Sequence, residues 1–446
     1  MNADFLRDEA RFSVAVRDPV WKHIWLTPEF RDIMQTPSFL RLYRIKQLGP
    51  TEYVYPGATH SRAAHSIGVY HVAKRILGVL ANRGADEWIT EQGCKSFLAA
   101  ALLHDLGHFP FTHSLKELPL VDHETLTARL ILEEPLKTAV AEAGADPEMT
   151  AAIVDKADEV VSPSKVDGET RFFRNLLSGV LDPDKLDYLN RDAYCCGVPY
   201  GIQDTDFILS RIMPDRERGI VIDSRAIMSI ESILFSKYLM YRSVYWHKSV
   251  RMATAMMKKA LSAALAKKLI DPETLYGLDD EGIYALVDSI DYPERVLARS
   301  IRSRAFYETV VEFPFRDSDA DMRKLENLEA RADAEIAIAE TLSTSLGVRI
   351  QPYQVLIDIP ERISFESSLF VVDEKRAFSD SSTVFSGDTV RKFTESLRMV
   401  RIAIEPAIAE KIRGNPGAEA KLAKYFGVSY TLTGNANFPG EPDERT

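Results

Sequence analysis

Cysteine is scarce in this chain: three residues in 446, Cys94 and the adjacent pair Cys195-Cys196. That spacing builds neither a disulfide framework nor a zinc-ligand set. Long apolar runs are missing too, and none approaches the roughly 18 residues needed to cross a bilayer. The opening residues, Met-Asn-Ala-Asp-Phe-Leu-Arg-Asp-Glu-Ala, are charged and lack the apolar centre of a secretory signal. Positive charge is in deficit, with 55 Lys and Arg against 66 Asp and Glu, a net −11. A nonspecific nucleic-acid binder takes its phosphate affinity from Lys and Arg, so this balance argues against one. A small anionic substrate needs only a local cluster of positive charge and stays open. No Walker-type loop, GxSxG, CxxC or internal repeat occurs. The expectation is a cytoplasmic chain with no membrane partner.

Histidine is also rare, nine in all, yet seven fall between His60 and Glu124. Scattered core histidines do not bunch this way. The densest part runs Leu-Leu-His-Asp-Leu-Gly-His-Phe-Pro-Phe-Thr-His, with His104-Asp105 at its heart. The apolar run from Phe97 to Leu103 reads as a buried helix, which Gly107 and Pro110 then stop. The doublet therefore emerges at the lip of a core as one nitrogen and one oxygen donor. Such a mixed set suits a divalent metal such as Mn, Fe, Mg or Zn. A lone His-Asp pair is more often a surface hydrogen bond, and a metal needs further ligands. His65 is the natural third, and Asp184, downstream, the fourth.

The fold expected is mainly α, a helical core with a smaller C-terminal α+β region. Pro37 opens a helix, Tyr53-Val54-Tyr55 reads as a short strand, and Thr59 or Ser61 caps a helix to about Leu80. The doublet helix is placed at Asp86 to Leu103. Asp182 and Pro183 read as cap and first residue of another helix, aligning Asp184, Tyr188 and Arg191 or Asp192 on one face. From Ala226 to Leu269 the pattern is one long helix or two in tandem. It carries Lys237, Tyr241, Tyr245 and Lys248 in a stripe suited either to a nucleotide or to a core-facing tyrosine seam. Asp317 to Leu346 reads as a charged helix. Strands are expected from Val355, Ser368 and Met399, with a helix near Asp388 to Leu397 and a frayed tail from Gly434. Residues 1–310 are assigned to the core, with its motifs between about 55 and 200, and 311–446 to the appended region.

The set His60-x-Arg62-x-x-His65, His104-Asp105-x-Gly107-His108-x-Pro110-Phe111-x-His113, His123-Glu124 and Asp184-Lys185-x-Asp187-Tyr188-x-x-Arg191-Asp192 resembles the HD-domain phosphohydrolases. Within them it is similar to the deoxynucleoside triphosphate triphosphohydrolase branch, that of the human SAM- and HD-domain dNTPase and bacterial dGTPases. The resemblance implies a metal held by His65, His104, Asp105 and Asp184. It implies catalytic roles for His113 as general acid and for His108, His123 and Glu124 at the phosphate or the attacking water. Arg62, Lys185, Lys237 and Lys248 would clamp a triphosphate. Gln47 and Leu48 would meet the sugar, with Tyr188, Asp192, Tyr241 and Tyr245 forming the neighbouring wall. The implied reaction releases a deoxynucleoside and inorganic triphosphate. The alternatives are a phosphohydrolase of another nucleotide (a nucleoside monophosphate or a guanosine alarmone) or a non-catalytic nucleotide sensor. Family members are often homo-oligomers, dimers or tetramers, activated by a dNTP or GTP; the C-terminal region is the candidate for that role. One departure stands out: an acidic residue commonly follows the His113 position by three, and here it is Lys116, with Glu117 next.

Overall fold

The structure, a computed structural model, describes residues 4–425 apart from 364, 366–368 and 382. It is mainly α-helical with small sheets. The tail expected from Gly434, and Ser368, where one strand was expected to begin, lie outside the described residues. Helix packing divides the chain into two compact units. The first comprises Met1–Tyr245, Ile270–Leu286 and Ser364–Arg391; the second comprises Trp246–Leu269, Val287–Ile363 and Lys392–Thr446.

The first unit is built around the helix Arg62–Ala81, whose Ser61 hydroxyl caps it by accepting from the Ala64 N–H at 3.3 Å. Ile67, Val69, Tyr70, Val72, Ile76, Leu77 and Leu80 are all buried, over more than half of the helix circumference. A helix with so broad an apolar face belongs in the middle of a domain. Each such side chain contributes about 1.5–3 kcal/mol of transfer free energy. It packs on Glu91–Leu103 and Pro183–Cys196, the helices that carry the other motifs. At Gly68 the approach is so close that a Cβ would collide with the Asp187 carboxylate and the Arg191 guanidinium.

Several local expectations change. Tyr53 to Tyr55 is not a strand: Gly49–Tyr53 is a tight helical turn, because Pro50 starts it and the Thr51 carbonyl accepts from both Val54 and Tyr55 N–H groups. The doublet helix starts at Glu91 rather than Asp86, where the Thr90 hydroxyl caps it by accepting from Gly93 N–H at 2.9 Å. Of the two readings left open for 226–269, the structure has the tandem pair, Ile227–Met240 and Lys248–Ala266, separated by a wide π-type turn at Tyr241–Tyr245. Strands also lie inside the nominally helical part. Val14–Asp18 pairs antiparallel with Lys22–Leu26, and Ile212–Asp215 with Gly219–Ile222, where Gly219 adopts a φ of +81°.

In the second unit the antiparallel order is Glu308–Pro314, Met399–Ile404, Val355–Asp358. Its core joins Val311, Val355, Val400, Ile402 and Ile404 to Ile338 and Leu342. The last two belong to the helix Leu328–Leu346. The expected Asp317–Leu346 helix is broken before it, since the Asn327 side chain caps a fresh start by accepting from Glu329 and Ala330 N–H groups.

Candidate metal centre and active site

Three helix ends bring the donors together. His65 lies in the first turn of Arg62–Ala81, and His104 closes Glu91–Leu103. Asp182 caps Pro183–Cys196, its carboxylate accepting from Lys185 N–H at 2.6 Å, which sets Asp184 in the first turn. His65 Nε2 is 3.1 Å from Asp184 Oδ1, and His104 Nε2 is 3.7 Å from the same oxygen. All three donor atoms lie within 4.8 Å of one another, so they could share one metal ion. Asp105 stands beside them, Oδ1 3.3 Å from His104 Nε2 and Oδ2 3.9 Å from His65 Nε2. Its Oδ2 also accepts from Arg62 at 2.6 Å, and its Oδ1 faces His108 Nε2 at 3.1 Å.

The donor chemistry fits a divalent cation. His104 donates from Nδ1 to the Ala101 carbonyl at 3.0 Å, while its Nε2 is buried without a hydrogen-bond partner. His65 has Nδ1 at 2.9 Å from Asp187 Oδ2, which likewise turns Nε2 toward Asp184. A carboxylate or carbonyl behind each imidazole is the usual way a ligating tautomer is fixed. Burial works against charge on His65, yet Asp184, Asp187 and Asp105 more than offset it and raise the imidazole to about 10. Burial also opposes the Asp184 carboxylate, but His104 and His65 hold it well below the usual range. Excess negative charge thus surrounds two Nε2 atoms, the field a cation needs.

Asp187, which stands in the sequence motif without an assigned role, is the carboxylate behind His65. It is fully buried and also accepts from Trp21 Nε1 at 2.5 Å and from Arg191 at 2.8 and 2.9 Å. Arg191 in turn donates to Asp18 at 2.7 Å. Arg191 is therefore turned into the core and does not share the Asp184 face. The i, i+4 spacing of Asp187 and Arg191 was visible, but nothing local connected it to Trp21 or His65.

The remaining histidines form a second cluster. His108 stacks on His123 with ring centres 4.0 Å apart, and His113 lies 4.6 Å from His108. Gly107 permits this, since a Cβ there would strike the His123 carbonyl and Thr127 backbone. Arg41, not singled out from sequence, fastens the loop by donating to the Leu106 and His108 carbonyls at 2.6 and 2.7 Å. Phe111 is held at φ +64°, an unfavourable value for a bulky residue, costing on the order of 1–3 kcal/mol and typical of functional loops. His113, the candidate general acid, does not sit in an ordinary imidazole environment. Burial, then Arg62, His123 and Lys116, push it down to about 3, and His108 is also held well below its usual range by burial, Arg62 and His123. Both are neutral at pH 7. Glu124 is ion-paired to Lys156 at 2.6 Å.

Of the residues assigned to substrate, Asp192, Tyr245, Tyr188 and Tyr241 come together. Asp192 accepts from the Tyr245 hydroxyl at 2.7 Å and pairs with His60 Nε2 at 2.8 Å. Tyr245 lies 5.1 Å from Tyr241 and 6.4 Å from Tyr188, ring to ring. Gln47 is tied by its N–H to the His60 carbonyl, with its side-chain Oε1 buried and unbonded; Leu48 follows it at the start of the next turn. Lys185 donates to Asp182 and to the Gly179 carbonyl. Lys237 sits over the Phe365 ring at 5.5 Å. Lys248 opens the Lys248–Ala266 helix, which belongs to the second unit.

Residues 62–160 match the HD domain family and residues 205–394 the HD-associated region. The chain thus carries an HD domain followed by its associated region, and it shares the fold of a phosphohydrolase from Bacteroides thetaiotaomicron, with a TM-score of 0.66 at 24% identity over 88% of this chain and 100% of that one. It is similar to YwfO of Bacillus subtilis, 37% identical over 249 residues, covering 56% of this chain and 55% of that protein. It is also similar to the human deoxynucleoside triphosphate triphosphohydrolase SAMHD1, 28% identical over 277 residues, covering 56% and 44%. A solved structure of a hypothetical protein from Aquifex aeolicus superimposes with a TM-score of 0.68 at 25% identity, over 92% of this chain and 99% of that one. The chain thus spans about half the length of these two curated relatives. Among the described residues, no helix is long and apolar enough to cross a membrane.

Proposed function

We propose that this chain hydrolyses deoxynucleoside triphosphates to deoxynucleoside and inorganic triphosphate, using a divalent metal held by His65, His104, Asp184 and Asp105. The observation that carries the reading is the convergence of two Nε2 atoms on the Asp184 carboxylate, with Arg62 and the neutral histidine cluster alongside. A bound divalent ion would supply Lewis acidity and a water of lowered pKa. Arg62, buried against Asp105, is the cation placed to receive phosphate oxygens. His113 and His108, neutral at rest, offer N–H donors to a phosphate chain. The arrival of a polyanion offsets Arg62 and Lys116, raises His113, and so readies it to protonate the leaving oxygen. The Tyr188, Tyr245 and Asp192 group supplies the polar and aromatic wall for the sugar.

Lys116 favours a second reading, hydrolysis of another nucleotide, since a cation rather than a carboxylate acts on His113. The purified protein is incubated with Mn or Mg and each of the four dNTPs, a nucleoside monophosphate or a guanosine alarmone, and products are resolved by phosphate-chain length. Inorganic triphosphate from dNTPs supports the first reading. Release of orthophosphate or pyrophosphate alone replaces it with the second.

A further inference from the structure

Ile270–Leu286 rejoins the first unit after the helix Lys248–Ala266. Its short helix Pro272–Tyr276 ends on a tyrosine whose hydroxyl accepts from the Val121 N–H at 2.9 Å. The Tyr276 ring lies 5.5 Å from that of Phe109, and the Tyr284 ring 6.4 Å from that of Phe111. Between them the Leu278 carbonyl accepts from Arg41 at 3.0 Å, the same guanidinium that holds the Leu106 and His108 carbonyls. Arg41 is only 8% exposed, and its hydrogen-bond partners among the described residues are main-chain carbonyls alone. The loop from His104 to His123 makes one tight helical turn, Thr112–Leu115, and no other helix or strand. These contacts, rather than a helix ladder, therefore fix where its imidazoles stand. The same segment also grips the residues just before Gln47. Asp279 Oδ2 accepts from the Arg44 side chain at 2.5 Å, and Asp280 Oδ2 from the Lys46 N–H at 3.0 Å. The Asp280 N–H donates to the Arg44 carbonyl at 3.3 Å.

We infer that Arg41 and Tyr276 are positioning residues, and that residues 276–284 form a strap holding the histidine loop at a set distance from the Arg44–Gln47 segment. This role rests on the hydrolase reading: there His108 and His113 meet the phosphates and Gln47 the sugar, so their separation must match the nucleotide. Arg41 suits the task because a guanidinium is a rigid planar fork that can bridge several carbonyls at once. A lysine ammonium, a point charge on a flexible stem, cannot hold them in one plane. Small displacements matter here, since moving a reacting group by about 1 Å can cost on the order of a hundredfold in rate. Neither residue need touch the substrate; each acts through the main chain of the loop.

The test measures hydrogen exchange of the full chain by mass spectrometry, together with metal content and, on dNTPs, kcat and KM. Tyr276→Phe keeps the ring against Phe109 and removes only the hydroxyl. Exchange in the peptide holding Val121 should rise about tenfold, the loss of one main-chain anchor. kcat should fall on the order of tenfold with KM and metal content unchanged. Mere loss of folded protein would instead lower metal content and kcat together. Arg41→Lys keeps the charge but loses the fork, and should cost kcat about a hundredfold. Unchanged exchange at Val121 in Tyr276→Phe would overturn the strap, whether or not the chain hydrolyses dNTPs. Faster exchange with kcat intact would overturn the positioning role. If the unaltered chain releases no triphosphate, the hydrolase reading falls instead, and the exchange comparison alone decides the strap.

Discussion

Asp187 Oδ2 lies 2.9 Å behind His65 Nδ1, on the opposite side of the ring from Asp184. One helix, Pro183–Cys196, thus supplies both the carboxylate beside the histidine's ligating nitrogen and the one that fixes its tautomer. Asp187→Asn keeps the shape but removes the charge. Metal affinity should fall about 10–100-fold, read by metal content after dialysis against a chelator. Stability should fall as well, by about 3–5 kcal/mol, because Arg191 stays buried with half its charge partners gone. Unchanged metal content in a folded variant counts against the assigned role.

Gly68→Ala tests the closeness of the two helices. The added methyl meets Asp187 and Arg191, so the network must shift or the helices part. The loss expected from overpacking is about 1–3 kcal/mol in denaturant melts, with metal retention falling alongside. Gly78→Ala, in the same helix but with nothing near its Cβ, is the control and should be neutral or slightly stabilising.

Lys116→Asp addresses the departure from the family pattern. Lys116 is one of the groups holding His113 down, so replacing it with a carboxylate should raise that imidazole. If His113 is the general acid, the alkaline limb of the pH–rate profile moves to higher pH and the rate at neutral pH rises. A profile that does not move dissociates His113 from proton transfer.

Stability should fall on both sides of neutrality, for two histidines with opposite signs. His71, facing Trp21 at 5.6 Å, is driven by burial, then Arg75 and Lys74, from 6.5 down to about 4. Its contribution is full above pH 6.5 and is lost as pH falls through 4, up to about 3 kcal/mol. His60 is the reverse: against burial, Asp192 raises it to about 9, so its contribution is full below pH 6.5 and lost as pH rises through 9. Denaturant midpoints across pH 4–10 should show both limbs. His71→Phe should flatten the acid one and Asp192→Asn the alkaline one; an unflattened limb refutes the corresponding assignment.

Much of the site was legible because its parts are local. Ser61 before His65, His104-Asp105 at a helix end, and Asp182-Pro183 before Asp184 are capping and spacing signals that a linear sequence carries in full. The strands at Val355 and Met399 were legible for the same reason, through their alternating apolar residues. What escaped was long-range. Trp21 and Asp18 reach Asp187 and Arg191 from more than a hundred residues away, and Arg41 reaches the His108 loop across 67. The break before Asn327 was also missed, because helical periodicity continues through it, while the one at Tyr241–Tyr245 was left open between one helix and two.

By itself the sequence determined which donors exist and on which helix face each one sits, since 3.6 residues per turn fixes faces without reference to anything distant. Only the tertiary structure decided that those faces meet. It did so through two glycines, Gly68 and Gly107, that let backbones close to within contact, and through buried charges such as Asp187 and Arg191, whose partners lie far off in the chain. It also decided the proton state of His113, because desolvation and the field of Arg62 and Lys116 depend on who the neighbours are, which no local pattern encodes.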